Sequence, residues 1–317
     1  MKAGKQRIEE MDMLKCVAIM LMVAFHLVYV EAQHPVMKDV VYTFHMPLFL
    51  MISGYLCRTT KEPRQFLSSL LTLAVPYLIM ESAYIVGAAM LPINEHIDHL
   101  TPLVFIDKLL AHPLGPYWYL HTLVICNAFN YLATHGRPGL SPVWWLLLML
   151  ALNAIGGFIT WSSMLYYSLG VLIARYASDF RRVFLESPLS VVALIIIAAD
   201  SLGRDASGQL LWTQDSTTLK GVIIVFCVTG SLLYAFRQIS GKLRSMMLLI
   251  GRETLAVLLF SPFFTLVSKY YQPFVCTLDP SGFLFAVVTV VVAIAGSILL
   301  KRCMEKLRIA RFLFLRK

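Results

Sequence analysis

The sequence predicts an all-α, polytopic transmembrane helical bundle of about ten spans with both termini cytoplasmic, and three observations predict it. Of the 317 residues, 58% are hydrophobic and only 14% are charged, a more apolar and less charged balance than soluble domains have. Apolar runs of about 20 residues, the length that crosses ~30 Å of hydrocarbon, recur along the whole chain with little between them. Lysine and arginine are strongly one-sided: of 27, 22 fall in the segments assigned to the cytoplasm, and 5 (Lys38, Lys108, Arg204, Lys220 and Lys269) in the outer ones.

The spans are expected over 13–31, 40–57, 67–91, 116–133, 141–158, 161–175, 188–203, 218–236, 249–269 and 281–300. The first opens with Asp12 and Lys15 and lacks a small-residue cleavage site, so it reads as a retained helix rather than a signal peptide. Cations then mark every second connection: Arg58, Lys61 and Arg64 after the second span, Arg137 after the fourth, and Arg175, Arg181 and Arg182 after the sixth. Arg237, Lys242, Arg244 and Arg252 follow the eighth, and Lys301, Arg302, Lys306, Arg308, Arg311, Arg316 and Lys317 the tenth. An even number of spans puts both ends on this cation-rich side. Residues 1–317 therefore read as a single membrane domain.

Two outer connections, 92–115 and 204–217, are polar and aromatic, as solvated loops or carbohydrate contacts are. The tail from Arg308 to Lys317 mixes basic and apolar residues and is expected on the inner leaflet. The net charge of +9 sits in short clusters at helix ends, which topology explains without nucleic acid. The six cysteines are scattered, with no CxxC and no metal-ligand spacing, so no metal site is expected.

Ionisable side chains within apolar spans are costly and mark candidate sites. Lys15 and His26 are eleven residues apart, three helical turns plus about 20°, so they share a face at roughly 16 Å separation. A cation at the inner end suits an anionic cytosolic ligand, and a neutral imidazole deeper in the span suits proton abstraction. A snorkelling lysine and a histidine bonded to a neighbouring helix would give the same spacing. In the second span, TFHMPLFLMISGYLCR, His45 precedes Pro47 by two residues and is expected at a depth similar to His26; Ser53 and Gly54 lie toward its inner end. Glu81 in the third span needs a partner or a cavity. The fourth opens PYWYLHTLVICNAF, where Trp118, Tyr119, His121 and Asn127 give a polar-aromatic face.

The order of these motifs, a basic residue eleven before a histidine, then FHMPLFLMISGYL, then YWYL, then IGRETLAVLLFSPF, resembles the acyltransferase-3 family of integral membrane O-acyltransferases, in its sugar O-acetylase-like branch. The resemblance implies transfer of an acyl group, acetyl foremost, from cytosolic acyl-coenzyme A to a sugar, glycolipid or other hydroxyl acceptor, in a bacterial inner membrane. By position His26 matches the family's first-helix histidine, and Lys15 stands where the signature has arginine. His45, Pro47, Ser53 and Gly54 match the second-helix motif, and Trp118 and Leu120 the WFL-like position. Where relatives commonly carry tyrosine and histidine in the ninth span, this chain has Val257 or Leu258 and Ser261. Ser68 and Ser69 stand where relatives often carry charge. No esterase-like domain follows, so transfer is expected to be completed by the membrane domain or a separate partner.

On that resemblance His26, His45 and Glu81 are the expected catalytic groups. Lys15, Arg58, Lys61, Arg64 and Trp118 are expected to receive acyl-coenzyme A, and Asp12, Ser53, Tyr119 and His121 the acceptor. No permanently bound cofactor is expected, and self-association is left open. Two rivals stand beside this reading. In a proton-coupled secondary transporter, Lys15, His26, His45 and Glu81 would form the pathway, although no internal repeat is visible. A non-catalytic relative would keep only a binding role.

Overall fold

The computed structural model describes residues 8–57, 62–90, 96–135, 140–157, 159–177, 179–184, 186–201, 203 and 216–314. Among them the regular structure is helical, without strands. The helices are α1 (Glu9–Phe25), α2 (Val28–Gln33), α3 (Pro35–Leu56), α4 (Pro63–Met90), α5 (Pro102–Leu110), α6 (Trp118–Thr134), α7 (Pro142–Gly156), α8 (Trp161–Tyr176), α9 (Phe180–Val183), α10 (Pro188–Ser201), α11 (Leu219–Phe236), α12 (Gly241–Arg252), α13 (Thr254–Leu278), α14 (Phe283–Lys306) and α15 (Ala310–Phe314). By length and composition α4, α11, α13 and α14 can cross a membrane, and α7 and α10 are shorter apolar helices.

Helices occupy most of the segments expected as spans, but among the described residues only α4, α11, α13 and α14 are long and apolar enough to cross a membrane, and two of the expected spans are broken. The expected span 13–31 is not one helix: α1 ends at Phe25, His26 is its C-cap, and Leu27 is extended before α2 begins. The expected span 249–269 is interrupted at Glu253, which ends α12 and starts α13. Local chemistry sets several ends. Ser141 accepts the Trp144 N–H, Pro142 takes the first helical position, and Gly157 closes α7 at φ 66°, so both ends of that helix are written in sequence. Thr218 caps α11 in the same way by accepting the Gly221 N–H.

The chain forms two compact units, residues 1–52 with 173–298, and residues 53–172 with 299–317. In the first, α1 lies chiefly on α12 and also meets α11 and α13. Met11, Met13, Leu14, Cys16, Ala18 and Ile19 are all buried, as expected for a central helix that is apolar on every face. The close approach depends on Gly251, because a Cβ there would strike the Asp12 carbonyl oxygen. Glu9 and Glu10 in the first turn of α1 pair with Arg244 (2.7 Å) and Arg181. At the other end, the Tyr29 hydroxyl donates to the Pro280 carbonyl (2.9 Å), and a ring nitrogen of His34 lies 2.7 Å from the Ser281 carbonyl.

In the second unit α4 packs on α5 and α6, and α7 on α6. The segment after α5 is held by its neighbours: the Tyr77 hydroxyl donates to Leu109 O (2.7 Å), His121 Nε2 to Leu110 O (2.8 Å), and the Leu114 N–H donates to Glu81 Oε1 (2.6 Å). In the tail, Ala310, Leu313 and Phe314 are buried in the protein, with α15 packed on α4, while Leu307 and Ile309 are exposed.

Candidate active site

The break in α1 defines the site. An uninterrupted helix would have its carbonyls bonded within the ladder, but here the chain leaves the helical path at His26 and Leu27, and the imidazole is exposed at the helix end. His26 Nδ1 lies 2.7 Å from the Met22 carbonyl oxygen, four residues back. A carbonyl only accepts, so Nδ1 carries the proton and the lone pair of the neutral ring is on Nε2.

His45 repeats the arrangement on α3. Its Nδ1 donates to the Val41 carbonyl at 2.8 Å, again four residues back, and its lone pair is likewise on Nε2. This ring is 2% exposed, and its Nε2 has no hydrogen-bond partner among the described residues. That nitrogen therefore keeps a lone pair able to accept a hydrogen bond. Tyr42 stands between the two rings, its centroid 6.3 Å from His26 and 5.2 Å from His45. Its hydroxyl donates to the Phe25 carbonyl at 2.9 Å, which fixes the end of α1 beside His26. The two histidines expected to meet therefore belong to one cluster, and Tyr42, which the sequence reading passed over, ties them together.

Near the opposite end of α1, Asp12 is 2% exposed and carries two cations: Lys15 Nζ at 2.8 Å from Oδ1, and Arg252 Nε at 3.6 Å from Oδ2. The face expected to hold Lys15 and His26 thus has its lysine neutralised by a carboxylate one turn away. The family-motif positions Val257, Leu258 and Ser261 are buried in α13.

The remaining candidates lie in the second unit. Ser53 Oγ and the Tyr119 hydroxyl are 2.9 Å apart and bond to each other. Trp118 is half-buried, edge-on to Tyr119 at 6.4 Å. Asn127 belongs to a polar network with Cys57 (3.1 Å to Oδ1) and Tyr167 (3.2 Å), which no sequence pattern announced. Arg64 is exposed near the start of α4. Arg58 and Lys61 lie outside the described residues, as does most of the 204–217 connection. Glu81 and His121 each bond a backbone group of residues 110–114. That assignment has a test: Glu81→Gln keeps an acceptor oxygen and should leave acyl transfer and melting temperature near wild type. Glu81→Ala strands the Leu114 N–H and should cost about 1–3 kcal/mol of stability, read by thermal unfolding in detergent.

Four helices long and apolar enough to cross a membrane point to a membrane protein, and the end of α1 and the middle of α3 bring two oriented imidazoles into one cluster. A family model described as an acyltransferase domain matches residues 8–302, nearly the whole chain, and the protein belongs to this acyltransferase-3 family. It is a membrane acyltransferase. Comparison with curated proteins and with solved structures gives no match.

Proposed function

We propose that the protein transfers an acyl group, acetyl foremost, from cytosolic acyl-coenzyme A to a hydroxyl of a sugar, glycolipid or other acceptor at or across the membrane. One observation carries the chemistry: two imidazoles, each with Nδ1–H tied to its own helix, so that both lone pairs are on Nε2. His26 Nε2 removes the proton of the acceptor hydroxyl as its oxygen attacks the thioester carbonyl. The tetrahedral adduct collapses by breaking the carbon–sulfur bond, and the departing thiolate takes the proton from the imidazolium. Products are the acyl ester and coenzyme A, with no proton gained or lost. His45 Nε2 accepts a hydrogen bond from a second donor on the acceptor molecule and so orients it, while Tyr42 holds the helix end that carries His26.

Lys15, with Arg58, Lys61 and Arg64, receives the coenzyme's phosphates, and Trp118 its apolar part. Ser53 and Tyr119 receive the acceptor, His121 anchors the Leu110 carbonyl, and Asp12 positions Lys15. The bundle has about ten spans with both termini in the cytoplasm, the arrangement that the cation bias supports, in a bacterial inner membrane. The experiment is incubation of membrane vesicles containing the protein with radiolabelled acetyl-coenzyme A, followed by extraction of glycolipid and polysaccharide. Label above vesicles lacking the protein is expected, and none would sink the proposal. His45→Asn should lower transfer by about 10–100-fold with little change in coenzyme affinity, because it loses an orienting bond rather than the base.

A further inference from the structure

The geometry points to Arg252 as a phosphoryl-binding residue, acting with Lys15 as a two-cation clamp set on Asp12. This assignment rests on the acyl-coenzyme A reading above. The first turn of α1 holds three carboxylates. Among the described residues Glu9 pairs with Arg244 and Glu10 with Arg181. Asp12, the buried one, is approached there by both Lys15 and Arg252. A buried carboxylate gains most from its first close, hydrogen-bonded cation, and here that is Lys15 at 2.8 Å. Arg252 Nε stands at 3.6 Å, beyond hydrogen-bond reach, and among the described residues its guanidinium makes no hydrogen bond at all. Its side chain is 46% exposed. Among the described residues a planar fork therefore stands unused beside the Lys15–Asp12 pair.

That fork is what the first helix lacks. An ammonium at position 15 binds an anion as a point charge, whereas a guanidinium grips two phosphoryl oxygens in parallel. Arg252 is delivered by the last turn of α12, and Gly251 beside it lets that turn approach the Asp12 backbone closely enough for the three side chains to meet. A lysine in α1 and an arginine in α12 together supply charge and fork, with Asp12 holding both in place between turnovers. Phosphoryl oxygens on coenzyme A and on anionic lipid headgroups share this chemistry; the proposal commits to the coenzyme.

The test uses the full chain in phosphatidylcholine nanodiscs, with coenzyme A, inorganic pyrophosphate and pantetheine titrated by calorimetry at low salt. Wild type is expected to bind coenzyme A and pyrophosphate. Arg252→Ala should weaken both by about 10–100-fold and leave pantetheine, which has no phosphate, unchanged. Arg252→Lys, which keeps the charge and so guards against a folding defect, should recover part of the loss but less than the whole. Wild-type affinity for coenzyme A and pyrophosphate in either variant overturns the clamp while leaving the acyl-coenzyme A reading intact. Pyrophosphate binding without coenzyme A binding would instead defeat that reading and keep the anion site. Loss of pyrophosphate binding on changing to phosphatidylglycerol discs would assign the fork to lipid and overturn the coenzyme commitment.

Discussion

Replacing His26 with alanine is expected to lower acyl transfer by about 10²–10⁴-fold, the range over which a positioned general base accelerates a reaction, while the folded protein and its coenzyme affinity survive. Survival follows from the site itself. His26 caps the end of α1 through backbone bonds that any residue makes, its N–H to Met22 O (3.1 Å) and the Leu27 N–H to Ala24 O (3.3 Å). The ring is exposed, so its loss leaves no cavity. The side chain bonds Met22 O, and a glutamine there has no lone pair as basic as imidazole nitrogen, so His26→Gln should be as inactive as alanine. The measurement is single-turnover transfer from radiolabelled acetyl-coenzyme A with matched melting curves. Transfer by His26→Ala within a few-fold of wild type would remove the base from this residue and move attention to His45, whose buried Nε2 is the other lone pair of the cluster.

Why these two rings could be singled out in the sequence, and Arg252 could not, is a matter of range. His26 and His45 stand out because an imidazole in an apolar run is costly, a property of each residue and its neighbours. Their tautomers are also local, since both bonds run four residues back along one helix. Lys15 and Asp12 are three apart and equally legible as a helical pair. Arg252 reaches the same carboxylate from 240 residues away, and nothing in RETLAV distinguishes it from the other cations that mark the cytoplasmic side. The break after Phe25 was invisible for a different reason: Leu27, Val28 and Val30 continue the apolar run, and hydropathy measures transfer of side chains rather than continuity of backbone hydrogen bonds. Glu81 likewise found a backbone N–H 33 residues on, a partner no periodicity encodes. The packing of α15 on α4 was equally hidden, because an amphipathic segment shows that it needs an apolar surface and not which one.

Gly251→Ala should be more damaging than any substitution of a charged residue in the same cluster. The added methyl would sit far inside contact distance of the Asp12 carbonyl oxygen and close to the carbonyl carbon and Cα, all backbone atoms of a buried helix that cannot rotate away. Relief therefore requires α12 to move off α1 as a body, across the face where Met247 and Ile250 are buried. Overpacking of this kind costs about 1–3 kcal/mol, and more when rigid elements separate. Moving α12 also carries Arg252 away from Asp12, so coenzyme affinity should fall along with stability, and restoring the charge elsewhere would not recover it. Gly87→Ala is the matched control, because a Cβ at Gly87 meets nothing within 4 Å, and it should leave the melting temperature almost unchanged. The comparison is thermal unfolding of both variants with and without saturating coenzyme A. A Gly251→Ala protein that melts with wild type and gains the same stabilisation from the ligand would show that α1 and α12 do not depend on this glycine for their contact, and the route by which Arg252 reaches Asp12 would have to be redrawn.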